Sequence, residues 1–241
     1  MIRIFQKGFN FSQDGPGNRL VYHLQGCNLR CPWCSNPEGI ERAGGQDYTI
    51  EELIDEVNRS SMMFFDNGGV TLTGGEVTMQ FDAAKELLTR LHKQGIHTCI
   101  ETNGLSQRLP ELFPVLDLLI MDIKHYDSAI HKKVTGIPNE MTIQNILIAC
   151  SRKQNLALRI PLIGGFNASA QDARAFADLF QKLRIGWDVT VELLPYHEYG
   201  KDKYKSLGLN YEMTSEAHVS KDELDQFSKI LESAGIHLIK T

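Results

Sequence analysis

The chain has 241 residues, 42% of them hydrophobic and 23% charged, with a formal net charge of −5. A chain of this length can bury a sizeable core, and its acidic balance argues against a nucleic-acid binder that depends on a basic face. It contains no run of 18 apolar residues and no signal-peptide pattern, so we expect a cytoplasmic protein without a membrane span.

Apolar runs of strand length alternate with longer amphipathic segments along the chain. β-branched runs mark strands, and Ser or Thr three residues before an acidic residue marks several helix starts. Strands are predicted at residues 19–25, 70–73, 96–101, 117–124, 156–163, 189–194 and 236–239. Helices are predicted at 49–65, 81–94, 110–116, 169–183 and 220–233, and a helical region with a break near 136–138 is predicted to end near 153.

Counted from residue 19, these elements make six strand-then-helix units, which favour a parallel sheet with helices outside it. The residues alone do not separate an open doubly wound sheet from a closed or partial barrel. Polar residues gather at or near the C-terminal ends of the predicted strands, namely Cys27, Glu76, Glu101, 122–124, Arg159 and His197. Because that edge carries the active site in parallel α/β folds, we expect the chemistry there.

Three of the five cysteines, Cys27, Cys31 and Cys34, form the pattern C-x3-C-x2-C. Iron–sulfur cubanes bind cysteine thiolates, and three thiolates leave one iron open for chemistry. The alternative is a zinc-binding interaction module completed by a histidine such as His23. Zinc sites usually show paired Cys or His spacing, and no second pair is present, so the pattern favours an iron–sulfur cluster. Cys99 and Cys150 each lie in an apolar stretch and are expected in the core.

Two glycine-containing motifs flank this loop in the sequence, one before it and one after it. Gly74 and Gly75 follow a predicted strand and allow close backbone approach to a ligand, and the carboxylate of Glu76 can accept from an ammonium group. Read alone, the Gly-Gly-Glu motif is usually just a strand-to-helix turn, and Asp14-Gly-Pro-Gly17 could be an ordinary turn.

The cysteine motif, with an aromatic residue just before its last cysteine, resembles that of the radical S-adenosylmethionine (SAM) superfamily. Together with the Asp14–Gly17 turn, further motifs resemble one group within it, the glycyl radical enzyme activating enzymes, and within that group the pyruvate formate-lyase activators most of all. These motifs are Arg19, Gln25-Gly-Cys27, Glu101-Thr-Asn-Gly104, Met121-Asp122-Ile-Lys124, Leu158-Arg159-Ile-Pro161, Val191-Glu-Leu-Leu-Pro-Tyr-His197 and Gly200-Lys-Asp-Lys-Tyr204.

The resemblance implies an α/β fold, a partial (β/α)6 TIM-like barrel of parallel strands with outer helices, as a single domain over residues 1–241. It implies that the three cysteines bind one [4Fe–4S] cluster, whose open iron chelates SAM. Reductive cleavage then yields a 5′-deoxyadenosyl radical that takes a hydrogen atom from a backbone glycine of a partner enzyme. Many relatives carry a ferredoxin-like insert with extra cysteines, but no cysteine lies between Pro37 and Val70, so we expect a single cluster.

Carried over residue by residue, the resemblance implies a SAM-binding set of Trp33, Gly74, Gly75, Glu76, Glu101, Thr102, Asp122, Lys124, Arg159 and His197. It also implies a monovalent cation against the SAM carboxylate, although Glu101 stands where the family has aspartate. Val77, Gly164 and Ala168 depart from the Pro, Pro and Asp of many relatives. Taken singly, members of the set have plainer interpretations: an ion pair for Asp122 and Lys124, a structural pair for Arg159, and a loop cap for His197.

The implied partners are a glycyl radical enzyme, contacted by Asp14 and Arg19, and a flavodoxin or ferredoxin as electron donor. The protein is expected to be a monomer. An alternative is a radical SAM enzyme that acts on a small molecule or modifies a peptide, with the same SAM contacts and a closed substrate pocket. The Asp14–Gly17 turn and the short chain favour the activating enzyme.

Overall fold

The structure, a computed structural model, describes residues 1–240, which divide into two compact units. The first unit comprises residues 1–28 and 38–120, and the second comprises residues 29–37 and 121–240. The described residues form nine strands: β1 (Ile2–Phe11), β2 (Asn18–Leu24), β3 (Gln46–Tyr48), β4 (Gly69–Gly74), β5 (His97–Thr102), β6 (Leu118–Asp122), β7 (Leu156–Leu162), β8 (Thr190–Pro195) and β9 (His237–Ile239). They also form seven α-helices: α1 (Ile50–Ser60), α2 (Phe81–Lys93), α3 (Ser128–Thr135), α4 (Glu140–Ser151), α5 (Ala170–Lys182), α6 (Lys201–Ser206) and α7 (Lys221–Ser233).

In the first unit, β2, β4 and β5 are parallel neighbours. Leu24 at the end of β2 pairs with Gly74 at the end of β4, so the cysteine loop and the Gly-Gly-Glu motif leave the sheet at the same level. This register is why two motifs that lie far apart in sequence meet. Apolar side chains of the strands, such as Leu72 and Ile100, are fully buried.

The first unit also contains strands that the sequence did not predict. β1 runs antiparallel to β2 on one side and to β3 on the other. Ile2 and Ile4 are buried, but a register shift follows Ile4, and most of the later β1 side chains are exposed. A strand with one short buried stretch and a bulge gives little alternation to detect.

The helices of the first unit follow the prediction with one exception. α1 begins with the predicted capping box, in which Thr49 and Glu52 satisfy each other's backbone N–H groups. The predicted helix at 110–116 is wrong: the chain makes two short 3-10 turns, Leu109–Glu111 and Phe113–Val115. Pro110 and Pro114 each lack the N–H that an α-helix interior requires.

In the second unit, β7, β8 and β9 are parallel neighbours. The predicted break in the helical region is confirmed, since α3 ends at Gly136, whose φ of 97° is in the left-handed region. α5 and α7 both start with the predicted capping boxes and bury Phe176, Phe180 and Phe227. α6 was not predicted as a separate helix.

The α/β class with parallel strands and intervening helices is confirmed. The assignment of residues 1–241 to a single domain stays a prediction. No helix among residues 1–240 is long and apolar enough to cross a membrane.

Candidate active site

The first part of the cysteine loop is held by backbone hydrogen bonds within the first unit. Gly26 donates its backbone N–H to the carbonyl oxygen of Gly39, and Cys27 donates to that of Ile40, both at 2.8 Å. The Cys27 thiol is half-buried and makes no disulfide. The first predicted ligand therefore stands on a fixed backbone immediately after β2.

The second part of the loop, residues 29–37, is held within the second unit. Cys34 N–H donates to the carbonyl oxygen of Cys31 at 3.1 Å, and Arg30 N–H donates to that of Thr135 at 2.9 Å. Neither thiol is in a disulfide. Burial, together with the nearby charges of Cys34 and Cys31, raises the pKa of Tyr204 to about 12, so this phenol stays neutral beside the loop.

The Gly-Gly-Glu motif lies directly against the start of the cysteine loop. Gly74 has φ of 109°, a conformation that favours glycine. A Cβ on Gly75 would lie 2.3 Å from the carbonyl oxygen of Gly26 and 2.7 Å from that of Gly39. Glu76 N–H donates to the same Gly26 oxygen at 2.8 Å. Only a residue without a side chain permits this approach at position 75.

The Glu76 carboxylate is buried, with 1% of the residue exposed, and it accepts four hydrogen bonds. Oε1 accepts from Thr78 N–H at 3.0 Å, from Thr78 Oγ1 at 2.6 Å and from Thr102 Oγ1 at 2.8 Å. Oε2 accepts from Asn103 N–H at 2.9 Å. The structure thus joins two residues of the predicted SAM-binding set, Glu76 and Thr102, across the ends of β4 and β5.

Two further side-chain hydrogen bonds hold this edge, and the first of them ties it to the cysteine loop. Asn103 Nδ2 donates to Asn28 Oδ1 at 2.8 Å, which links the end of β5 to the residue after Cys27. Thr73 Oγ1 donates to Glu101 Oε2 at 2.8 Å. Sequence reasoning did not single out Asn103; its only signal was its place in the Glu101–Gly104 motif.

In the second unit, Asp122 and Lys124 form the ion pair that their spacing allows. Lys124 Nζ lies 2.8 Å from Asp122 Oδ2, and the lysine side chain is largely buried. The fully buried Asn167 donates from Nδ2 to the carbonyl oxygens of Lys124 and Pro161, both at 2.8 Å. Asn167 therefore fixes the chain after β6 against β7, a role that the sequence did not reveal.

Arg159 on β7 pairs with Glu192 on β8, its register partner in the parallel ladder. Arg159 Nε donates to Glu192 Oε2 at 2.7 Å, and the two side chains expose only 10% and 6% of their surface. A charge-assisted bond at this depth fixes the plane of the guanidinium group. Glu192 was not among the predicted site residues, although it lies in the Val191–His197 motif.

His197 follows β8 and is half-buried. Its ring stacks on Tyr199 with centroids 3.8 Å apart, and its Nδ1 accepts from Tyr199 N–H at 3.3 Å. Burial lowers the pKa of His197, so the imidazole is neutral at neutral pH. With Nδ1 accepting, the ring proton is on Nε2, which makes that nitrogen a donor.

An aromatic surface surrounds Trp33 in the second unit. Trp33 packs on Phe166 with ring centroids 4.9 Å apart, against a buried cluster of Ile163, Tyr196 and Ala217. Gly164 donates its N–H to the carbonyl oxygen of Ala217 at 2.8 Å, and a Cβ on Gly164 would lie 2.3 Å from the carbonyl oxygen of Glu216. Close packing thus requires a residue without a side chain at position 164.

The donor set fits an iron–sulfur cluster better than other metals, because three cysteines that form no disulfide on one loop supply soft thiolate ligands. Within residues 1–240, no group of three or more His, Cys, Asp or Glu side chains is arranged to hold a metal ion. The assignment of the cysteines to a cluster therefore depends on their spacing and chemistry.

Comparison with known proteins decides the family. The Radical SAM superfamily model matches residues 21–177, more than half of the chain. The chain belongs to the radical SAM superfamily. It is 31% identical to the pyruvate formate-lyase 1-activating enzyme of Escherichia coli strain K12 over 92% of each chain. It is 32% identical to the choline trimethylamine-lyase activating enzyme of Oleidesulfovibrio alaskensis, over 88% of this chain and 89% of that one.

The predicted resemblance to glycyl radical enzyme activating enzymes is therefore confirmed. Among solved structures, a radical SAM methyltransferase from Sphaerobacter thermophilus superposes with a TM-score of 0.65 at 16% identity, covering 96% of this chain and 67% of that chain. At this identity the likeness shows the fold alone, and that fold is shared over nearly the whole chain.

One predicted role in this radical SAM chain needs correction. Arg19 is fully buried and does not present its guanidinium to a partner. It donates to Thr71 Oγ1 at 2.6 Å, to the carbonyl oxygens of Val70 and Pro16 at 2.7 and 3.1 Å, and to His97. Burial lowers the pKa of Arg19, but not enough to discharge a guanidinium. Arg19 supports the Asp14–Gly17 turn from within, and a partner contact through Asp14 stays a prediction.

Proposed function

We propose that this radical SAM enzyme activates a glycyl radical enzyme by creating a radical on one backbone glycine of that partner. The observation that carries the proposal is the C-x3-C-x2-C loop in a chain that matches activating enzymes over about nine-tenths of its length. When bound, the [4Fe–4S] cluster supplies the electron for reductive cleavage of SAM, and the resulting 5′-deoxyadenosyl radical abstracts hydrogen from the glycine.

The residues proposed to hold the single cluster are Cys27, Cys31 and Cys34. Their thiols form no disulfide, and the glycine at position 75 lets the end of β4 approach the loop that bears Cys27. Because one iron lacks a protein ligand, we expect the cluster to be oxygen-sensitive and the enzyme to work anaerobically.

One set of proposed SAM-binding residues lies at the ends of β4 and β5. There the backbone of Gly74 and Gly75 and the residues Glu76, Glu101 and Thr102 are proposed to receive the methionine end of SAM. The four donors to the Glu76 carboxylate hold it in one orientation, which suits it to fix this edge before SAM arrives.

In the second unit, Asp122, Lys124, Arg159 and His197 are proposed to position SAM, with Trp33 packing beside the cluster or the adenine. The neutral His197 can donate from Nε2 to a ribose or carboxylate oxygen. The Asp122–Lys124 pair offers both a donor and an acceptor at the end of β6. A monovalent cation beside Glu101 is also part of the proposal.

The proposed partner is a glycyl radical enzyme that docks at the Asp14–Gly17 turn, and the proposed electron donor is a flavodoxin or ferredoxin. We further propose that the enzyme is a cytoplasmic monomer. The curated relatives are named for different lyases, so the identity of the partner follows from none of them.

Anaerobic reconstitution tests the proposal. The purified protein should bind iron and sulfide, form 5′-deoxyadenosine with SAM and a strong reductant, and generate a glycyl radical doublet by electron paramagnetic resonance when a glycyl radical enzyme is added. SAM cleavage without a radical on any glycyl radical enzyme, but with turnover of a small molecule or peptide, would favour the alternative. Zinc without iron would refute both.

A further inference from the structure

The Gly200–Tyr204 motif has no role in the proposed chemistry, yet it packs against the cysteine loop within the second unit. Gly200 is buried and has φ of −76° and ψ of −21°, which any residue can adopt. A Cβ at this position would lie 2.4 Å from the carbonyl oxygen of Cys34 and 3.3 Å from Cα of Ser35. Glycine is therefore required here by space and not by backbone conformation.

A lysine of the same motif reaches the loop two residues after Cys34. Lys203 Nζ donates to Asn36 Oδ1 at 2.8 Å. The other lysines of α6 point elsewhere: Lys201 pairs with Glu198 at 2.9 Å, and Lys205 is exposed. One of three lysines on this short helix is thus drawn into the surroundings of the cysteine loop.

The helix that carries Lys203 is itself anchored. Tyr204 is buried, its N–H donates to the carbonyl oxygen of Gly200 at 3.0 Å, and its ring packs on Tyr211 with centroids 5.0 Å apart. Tyr211 in turn shares a hydrogen bond of 2.6 Å with the hydroxyl of Tyr196. Tyr204 anchors the segment at one end and Gly200 contacts Cys34 at the other. The ammonium group of Lys203, which lies between them in sequence, is therefore kept in one place.

We propose that the Gly200–Tyr204 segment positions Cys34 and holds the Lys203 ammonium beside the cluster, so that it sets both cluster retention and reduction potential. This inference rests on the proposed function of Cys34 as a cluster ligand. Gly200 acts by letting α6 support the Cys34 backbone. Lys203 acts by charge, because a fixed cation near a cluster favours the state that has gained an electron. Both are positioning residues that need not touch SAM.

The test compares four proteins reconstituted without oxygen: wild type, Lys203→Met, Lys205→Met and Gly200→Ala. Lys205 is the matched control, since it lies on the same helix and its loss removes the same charge. Measured quantities are iron per chain after desalting and the midpoint potential from a redox titration followed by electron paramagnetic resonance. We expect Lys203→Met to shift the potential to a more negative value, Lys205→Met to match wild type, and Gly200→Ala to lose iron several-fold faster.

A fourth variant keeps the test sharp if Gly200→Ala fails to fold. Asn36→Ala retains the lysine charge but removes its acceptor, so we expect a smaller negative shift than in Lys203→Met. Equal potentials and equal iron retention in the Lys203→Met and Lys205→Met proteins, with an intact cluster and SAM cleavage in wild type, would overturn this inference alone. A wild-type protein that never binds iron would overturn the proposed function as well.

Discussion

The buried pair of Arg159 and Glu192 offers a quantitative test of how this site is held. In Glu192→Ala the guanidinium keeps its charge but loses the carboxylate 2.7 Å from Nε, at a depth where 10% and 6% of the two side chains are exposed. Removing one partner of a buried pair costs about 3–5 kcal/mol. At about 2–4 °C per kcal/mol for a protein of this size, the melting temperature should fall by roughly 6–20 °C.

Circular dichroism melts of the reconstituted protein under argon measure this effect. The control is Glu51→Ala, which removes a surface pair with Arg90 of the same 2.7 Å separation, where 69% and 39% of the side chains are exposed. Water replaces the lost partner there, so we expect little change. The double variant Arg159→Met with Glu192→Leu should melt above Glu192→Ala, because no unpaired charge is left in the interior.

Two outcomes would refute this reasoning. If Glu192→Ala has the same melting temperature as Glu51→Ala, the Arg159–Glu192 pair is open to water in solution. If the double variant is no better than Glu192→Ala, the loss comes from packing and not from a stranded charge. Glu192→Gln keeps a side-chain oxygen that can accept from Arg159 Nε. We therefore expect this variant to retain most of the affinity for SAM, measured by equilibrium dialysis, which separates the effect on function from the effect on stability.

Three further predictions concern the cluster loop, the strand end and pH. Cys31→Ala should lose iron and SAM cleavage with little change in melting temperature. Cys99→Ala, a buried control in β5, should keep both iron and SAM cleavage. SAM cleavage by the Cys31 variant would contradict the ligand assignment. Gly75→Ala should destabilise the protein and weaken SAM binding because its methyl group meets two carbonyl oxygens, while Gly8→Ala, with nothing within 4 Å, should behave as wild type. Burial lowers the pKa of His125. The neutral His125 ring therefore contributes stability above a pH of about 6.5, and this contribution is lost as the pH falls through the lowered pKa. Melting temperatures should therefore fall more steeply on acidification in wild type than in His125→Gln, and parallel curves would argue against a buried neutral ring.

Local signals in the sequence were sufficient for the elements that position the site. The capping boxes at Thr49, Ser169 and Ser220 fixed three helix starts, because each depends only on residues three apart. The polar residues at strand ends also follow from local pattern, since parallel strands bring their C-terminal ends to one edge.

Contacts between residues distant in sequence could not be predicted in this way. Nothing near Arg159 indicates that its partner is Glu192, because the pairing depends on the register of β7 and β8. In the same way, the requirement for glycine at position 200 comes from Cys34, a residue 166 positions earlier, and Gly200 on its own reads as an unremarkable helix start. The spacing of residues along the sequence therefore predicts the residues proposed to bind the cluster and SAM better than it predicts the residues that hold them in position.

The burial of Arg19 bears on how a partner would be recognised. Its guanidinium donates to Thr71 Oγ1, and the same hydroxyl donates to the carbonyl oxygen of Asp14 at 2.7 Å. A second donation, to Pro16, holds the middle of the turn. The turn is thus ordered before any partner arrives, and docking on it avoids most of the entropy cost of fixing a loop. On this reasoning Asp14→Asn should weaken activation of the partner selectively, whereas Arg19→Met should release the turn and lower stability together with activation.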